Sequence, residues 1–339
     1  MDKAPISAAA AADLIPSLGS AHVQPLLSTS ATTTYHTVCV DGVNVFYREA
    51  GPKDAPTLLL LHGFPSSSRM FETLIPLLAA RYHVVAPDYP GFGLSEAPPP
   101  SQYAYTFDHI ASTVDHLTDA LGLTSYSLYL QDYGGPIGFR LALAYPERVK
   151  AFIIQNAVAS EDGLGPAWEP RKAYWRDRAA NEQTVIPSFL SLTTTKARHL
   201  GSSPNPDRYD PNTWTDEFVH LSQPGQAAIQ AELFYDYRTN VATYPAWQAW
   251  MRQHQPPMLV VWGKWDPSFA VGGALAYQRD VPGAEVHIMD AGHFPLDEKV
   301  DAIAALMRDF LGRQSSGNLS GDWENVPIIS GLGSDGHPH

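Results

Sequence analysis

The chain has 339 residues, enough for one large domain or one domain carrying an insert. Hydrophobic residues make up 44% and charged ones 17%, which excludes a disordered or fibrous protein and fits a globular enzyme. With 22 basic against 35 acidic residues and a net charge of −13, a nucleic-acid partner is not expected, since phosphate binding needs a basic surface.

The single cysteine, Cys39, excludes an intrachain disulfide framework and gives no sign of secretion. No stretch reaches the ~20 apolar residues of a membrane span. Residues 1–34, rich in Ala, Ser and Thr, lack the basic start and unbroken apolar core of a signal peptide. They read as a flexible arm, and a cytoplasmic location is the expectation.

The first regular segments, 34–40 and 43–50 around Asp41 and Gly42, have the pattern of an antiparallel edge hairpin. Thr57 to His62 is an uninterrupted apolar run, as expected for a strand buried on both faces of a parallel sheet. An amphipathic stretch, 69–81, leads to a second strand at 83–88, and 107–123 reads as a helix. A strand at 127–131 ends at Asp132 and passes through Gly134 and Gly135 into a helix ending near Tyr145. Another strand follows at 149–154.

The alternation then stops. Residues 159–246 carry helical spacing, Pro breaks and Trp168, Tyr174 and Trp175, without a good strand. It resumes with strands at 257–262 and 284–289 and helices from Gly273 and over 299–311. The simplest architecture is a parallel sheet flanked by helices, its core built from 35–158 and 247–312 around a helical cap at 159–246. Residues 313–339, rich in Gly and Ser, read as a tail.

Asp132 carries the most information. A strand that turns sharply into a helix needs small residues beside the bend, and its apex residue is held out in a strained position. A carboxylate there can serve as a nucleophile or merely cap the turn. Two partners fall at the ends of later strands, where open α/β sheets place their ligands: Asp266, before Pro267, and His293, after Gly292. The order nucleophile, acid, histidine is that of the α/β-hydrolase fold. Backbone N–H groups of Phe64 and Tyr133 would then form an oxyanion hole. Asp266 can alternatively be a turn residue, and His293 a structural histidine. The other histidines show no ligand spacing, so neither metal nor cofactor is expected. Gly91 to Ser95 lacks the lysine of a phosphate loop and reads as a tight turn.

On His62-Gly-Phe-Pro65, Gly91-Phe-Gly-Leu-Ser95, Gln131-Asp-Tyr-Gly-Gly135, Asp266 and Gly292-His293, the chain resembles the α/β-hydrolases with an aspartate nucleophile. These are the epoxide hydrolases and haloalkane dehalogenases, and the resemblance runs from about residue 34 to 312. It implies a mostly parallel eight-stranded sheet flanked by helices, with an inserted helical cap. It also implies a covalent alkyl ester on Asp132, opened by a water that His293, oriented by Asp266, deprotonates. The expected partner is a small apolar organic substrate. The acid position that some dehalogenases use after the preceding strand holds Asn156, which leaves Asp266 as the carboxylate.

In the resembling epoxide hydrolases two cap tyrosines donate to the epoxide oxygen. Tyr237 is similar to the second and Tyr174 is the candidate for the first, although either can be a packing aromatic. Dehalogenases typically place Trp after the nucleophile and a polar residue or Trp after His-Gly, where this chain has Tyr133 and Phe64. Fluoroacetate dehalogenases want an arginine where Pro136 stands. Epoxide hydrolysis to a vicinal diol is therefore the expected activity. Haloalkane dehalogenation and ester or lactone hydrolysis are the enzymatic alternatives, and an inactive ligand-binding scaffold is the other.

Overall fold

The computed structural model describes residues 32–317. Strands β1 (Thr34–Val40) and β2 (Val43–Ala50) pair antiparallel with Val40 opposite Val43. Asp41 and Gly42 both take positive φ between them, the twist that suits a two-residue hairpin. β3 (Thr57–Leu61), α1 (Ile75–Leu78), β4 (His83–Pro87), α2 (Phe107–Ala120), β5 (Tyr126–Gln131), α3 (Gly134–Ala144) and β6 (Val149–Gln155) follow. Helices α4 (Glu169–Arg176), α5 (Arg178–Phe189), α6 (Leu192–Leu200), α7 (Pro211–Leu221) and α8 (Gln226–His254) form the insert. The chain then returns through β7 (Met258–Gly263), α9 (Val271–Asp280), β8 (Glu285–Met289) and α10 (Leu296–Gly317).

The eight strands make one sheet in the order β1-β2-β4-β3-β5-β6-β7-β8, antiparallel at β1–β2 and β2–β4 and parallel elsewhere. Alternate side chains of each strand face opposite sides. Leu59 and Leu61 join Val85, Leu128 and Leu130 in the core beneath the insert. Leu58 and Leu60 join Val84, Tyr129 and Ile153 in the core beneath α1 and α10. Burial on both faces explains why β3 reads as a continuous apolar run.

Some boundaries differ from expectation. The segment expected as one amphipathic helix at 69–81 is a 3-10 turn at Ser68–Phe71 and the single turn α1, with Pro76 at the helix start. Helix α8 runs unbroken past residue 246, so the return to the core begins inside a helix. Helix α10 extends into the segment read as a tail, where Arg313 pairs with Glu285 at 2.8 Å. Apart from their inner ends, the expected arm (1–34) and tail (313–339) lie outside the described residues.

Gly91 to Ser95 is a turn fastened to Asp88 at the end of β4. The Asp88 carboxylate accepts N–H groups of Ser68 at 2.7 Å and Leu94 at 2.8 Å, and Ser95 donates to the Asp88 carbonyl at 2.7 Å. Gly93, at φ 52, leaves no room for a Cβ, which would lie 2.1 Å from Asp88 Oδ2. Among the described residues, no helix is long and apolar enough to cross a membrane.

Candidate active site

The parallel strands β3, β5, β6, β7 and β8 deliver their carboxyl ends to one edge of the sheet, and each contributes to a single cluster. At the end of β5, Asp132 takes φ 47, a left-handed conformation that a residue with a Cβ adopts only under constraint. The constraint is close packing. A Cβ on Gly134 would lie 2.1 Å from the Leu61 carbonyl oxygen, so only glycine lets α3 start this near β3.

Oδ1 of Asp132 accepts the backbone N–H of Phe64 at 2.9 Å and of Tyr133 at 2.7 Å. Oδ2 is left facing His293, whose Nε2 lies 3.5 Å away. The loop carrying Phe64 is held by His62, which is fully buried and stacked on Tyr89 at 4.0 Å. Burial pushes the His62 imidazole down to about 4, so it stays neutral. It accepts the Tyr89 N–H at 3.3 Å and engages the Gly63 carbonyl at 3.1 Å.

His293 Nδ1 donates to Asp266 Oδ2 at 2.7 Å, and both side chains are buried. Asp266 accepts two further donors, Asn156 Nδ2 at 2.7 Å and the Ser268 N–H at 2.6 Å. Asn156 is itself clamped to Gly263, accepting its N–H at 2.9 Å. This asparagine, at the residue after β6, therefore positions the acid. Burial works to lower the His293 pKa, yet the carboxylates of Asp266 and Asp132 raise it to about 9. Gln131 Nε2 stands 3.0 Å from His293 Nε2, while Gln131 Oε1 has no partner. Turning that amide would offer Oε1 to the Nε2–H of the imidazolium.

The insert supplies the opposite wall. Tyr237 on α8 is buried, its ring 5.9 Å from Tyr133 and 4.9 Å from Trp168. Its hydroxyl lies beside that of Tyr244 and has no other hydrogen-bond partner among the described residues. Burial, with the charge of Asp132 adding to it, holds this phenol well above its ordinary pKa. Tyr174 is placed differently. Its hydroxyl is engaged by the Ala231 carbonyl at 3.0 Å and the Glu182 carboxylate at 3.1 Å, inside the insert. The structure does not bring it to Asp132, and the expectation that pairs it with Tyr237 is not met.

Two residues absent from the sequence reading reach the site: Arg171 on α4 and Arg198 on α6. Both are buried and both act electrostatically on Asp132 and Tyr133. The spacing Trp168, Arg171, Trp175 is one helical stripe, a charge set among aromatics that could have drawn attention. The two tryptophans give their indole N–H groups to carbonyls, Trp168 to Ser268 and Trp175 to Phe234, each at 2.7 Å. Among the described residues, no group of three or more His, Cys, Asp or Glu could hold a metal ion.

A sheet of this order, with a strained strand-to-helix elbow, a carboxylate and a histidine gathered on its carboxyl edge, has the architecture of an α/β-hydrolase, and comparison with known proteins agrees. The sequence model of the alpha/beta hydrolase fold matches residues 56–300, and the chain belongs to that family. It is 42% identical over 275 residues to the uncharacterized hydrolase YNR064C of Saccharomyces cerevisiae, covering 80% of this chain and 94% of that one. It is 29% identical over 281 residues to a haloalkane dehalogenase of Psychrobacter cryohalolentis, covering 79% and 88%. The solved structure of the epoxide hydrolase CorEH superposes with a TM-score of 0.67 at 19% identity, over 83% of this chain and 99% of that one, which shows the common fold. The chain is a hydrolase of this fold, with sequence similarity that reaches a haloalkane dehalogenase.

Proposed function

We propose that this hydrolase opens epoxides to vicinal diols through a covalent ester on Asp132. The observation that carries this reading is the buried Tyr237 hydroxyl, beside that of Tyr244 and within electrostatic reach of Asp132. A phenol kept protonated is the donor that a departing alkoxide needs. A departing halide would instead look for indole N–H groups, and the two indoles packed beside Tyr237, Trp168 and Trp175, have theirs committed to carbonyls.

In the first step Asp132 Oδ2 attacks an epoxide carbon. The carbon–oxygen bond of the ring breaks, its electron pair goes to the epoxide oxygen, and that oxygen takes the Tyr237 proton. Oδ1 stays in the two-amide hole throughout. The ester has no charge on Asp132, so one of the two carboxylates that raise the His293 pKa is lost, the imidazolium releases its proton to solvent, and the neutral imidazole is available as the base. His293 then takes a proton from water, and the oxygen of that water attacks the ester carbonyl carbon. The oxyanion develops on Oδ1 against the Phe64 and Tyr133 amides. Collapse breaks the carbonyl-carbon bond to the alkyl oxygen, which leaves as a hydroxyl after taking the proton from His293. Asp132 is left as the acid, and its proton passes through solvent to Tyr237, while His293 regains its resting proton.

A single turnover of styrene oxide in oxygen-18 water tests the route. The diol should leave unlabelled, with the label on the peptide carrying Asp132, and Tyr237→Phe should lower kcat/KM by roughly 10²-fold or more. Label in the diol would overturn the covalent step. Bromide release from 1,2-dibromoethane without diol from any epoxide would replace the reading with haloalkane dehalogenation.

A further inference from the structure

The mechanism above makes no use of Arg171 and Arg198, yet their placement is the least expected feature of the insert. Arg171 lies between two rings, its guanidinium carbon 4.5 Å from the Trp168 centroid and 4.1 Å from that of Phe189. Arg198 lies 4.6 Å over the ring of Phe64, the residue whose backbone N–H holds Asp132 Oδ1. The two guanidinium groups are close enough to repel, and that repulsion, after burial, pulls Arg198 down to about 10.

A guanidinium with a structural task normally has its in-plane N–H donors taken by protein acceptors. Here Arg171 gives one to the Ala167 carbonyl at 3.4 Å and Arg198 one to the Phe189 carbonyl at 3.2 Å. Arg198 Nη1 is buried with no partner at all. Among the described residues neither guanidinium has a carboxylate within ion-pair distance. Glu217 acts on Arg198 from further off, but its Oε2 is bound to His199 Nε2 at 2.9 Å. Two buried like charges with open donors are unfavourable unless an anion completes them.

We propose that Arg171 and Arg198 form an anion subsite that binds a carboxylate on the substrate, so that the epoxides this enzyme prefers are epoxy acids. The second half of this statement rests on the epoxide reading above, whereas the first half does not. A planar, singly charged carboxylate matches the planar donor edges that remain open once rings cover the guanidinium faces. The pair would also solve a problem for any anionic substrate, which the Asp132 carboxylate would otherwise repel at the moment of attack.

Binding and turnover separate the two halves. Calorimetry on the wild-type protein with phenylacetate and phenylacetamide compares an anion with its neutral isostere, without chemistry. Phenylacetate should bind tighter by about tenfold or more, and Arg198→Met should remove that preference. Equal binding of the two, or no phenylacetate binding at millimolar concentration, would overturn the subsite, as would an undiminished preference in a folded Arg198→Met protein. If that variant does not fold, the wild-type comparison still decides. Turnover of 3-phenylglycidate against 3-phenylglycidamide then reads specificity, with kcat/KM expected to favour the acid by about tenfold or more. Phenylacetate selectivity without hydrolysis of either epoxide would leave the subsite standing and remove the epoxide reading. Equal hydrolysis of both, without phenylacetate selectivity, would do the reverse.

Discussion

Replacing Asp266 by Asn is the sharpest perturbation of the proposed mechanism. Asp266 accepts three donors: His293 Nδ1–H, Asn156 Nδ2 and the Ser268 N–H. An asparagine side chain has one acceptor oxygen and a donor NH₂ group, so it cannot satisfy all three. With its oxygen kept on Ser268, its NH₂ would face Asn156 Nδ2 and His293 Nδ1. The imidazole would then carry its proton on Nε2, where the base must be free. The electrostatic loss points the same way. Raising His293 from 6.5 to about 9 despite full burial amounts to a net preference for the charged form of about 3 kcal/mol, which Asp266 and Asp132 supply together. Once Asp132 is alkylated, Asp266 is the carboxylate that remains to stabilise the imidazolium.

The expected loss in ester hydrolysis is roughly 10⁴-fold, the size seen when an analogous triad aspartate is amidated in a serine hydrolase. Formation of the ester should be far less affected, because attack by Asp132 needs no base. Rapid quench and intact-mass measurement should therefore show the Asp266→Asn protein accumulating one alkyl group per chain within a first fast phase. The mismatched donors should also cost about 1–3 kcal/mol in unfolding free energy. Ester formation slowed as much as its hydrolysis, or turnover near the wild-type rate, would refute the division of labour argued here.

Two further outcomes test the scaffold around the site. His199 joins the insert to the core, with Nδ1 2.7 Å from Asp297 and Nε2 2.9 Å from Glu217; burial opposes its charge, but the two carboxylates raise it to about 10. A raised folded pKa means that the stabilisation is full below the ordinary 6.5 and is lost as pH climbs through about 10, so the Tm gap between wild type and His199→Gln should narrow over that range. A gap that stays constant would show that the cluster acts by packing alone. Gly134→Ala would set a Cβ 2.1 Å from the Leu61 carbonyl oxygen, and should destabilise by about 1–3 kcal/mol and weaken turnover by shifting the Tyr133 N–H. Gly165→Ala, with nothing within 4 Å of its Cβ, should change neither, which Tm and kcat measured together would check.

What the sequence by itself determined was set by short spacing. The hairpin at Asp41 and Gly42, the doubly buried run of β3 and the elbow at Asp132 follow from neighbours a few residues apart, and Asp266 and His293 are found from their place at the ends of later strands. A strand flanked by glycines has few ways to turn, and strand ends in a parallel sheet share one edge, so the convergence of these candidate residues on that edge was legible in the sequence. The insert obeys no such rule. Its helices carry aromatic and charged side chains on several faces, and which of them meets Asp132 depends on how each helix rolls when packed. Tyr174 turns its hydroxyl to Ala231 and Glu182 while that of Tyr237 lies beside Tyr244 within electrostatic reach of Asp132, a distinction that two tyrosines in a sequence do not display. Arg171 and Arg198 converge from α4 and α6 for the same reason. Contacts between helices far apart along the chain are fixed by burial and packing over the whole domain, which only the tertiary structure decides.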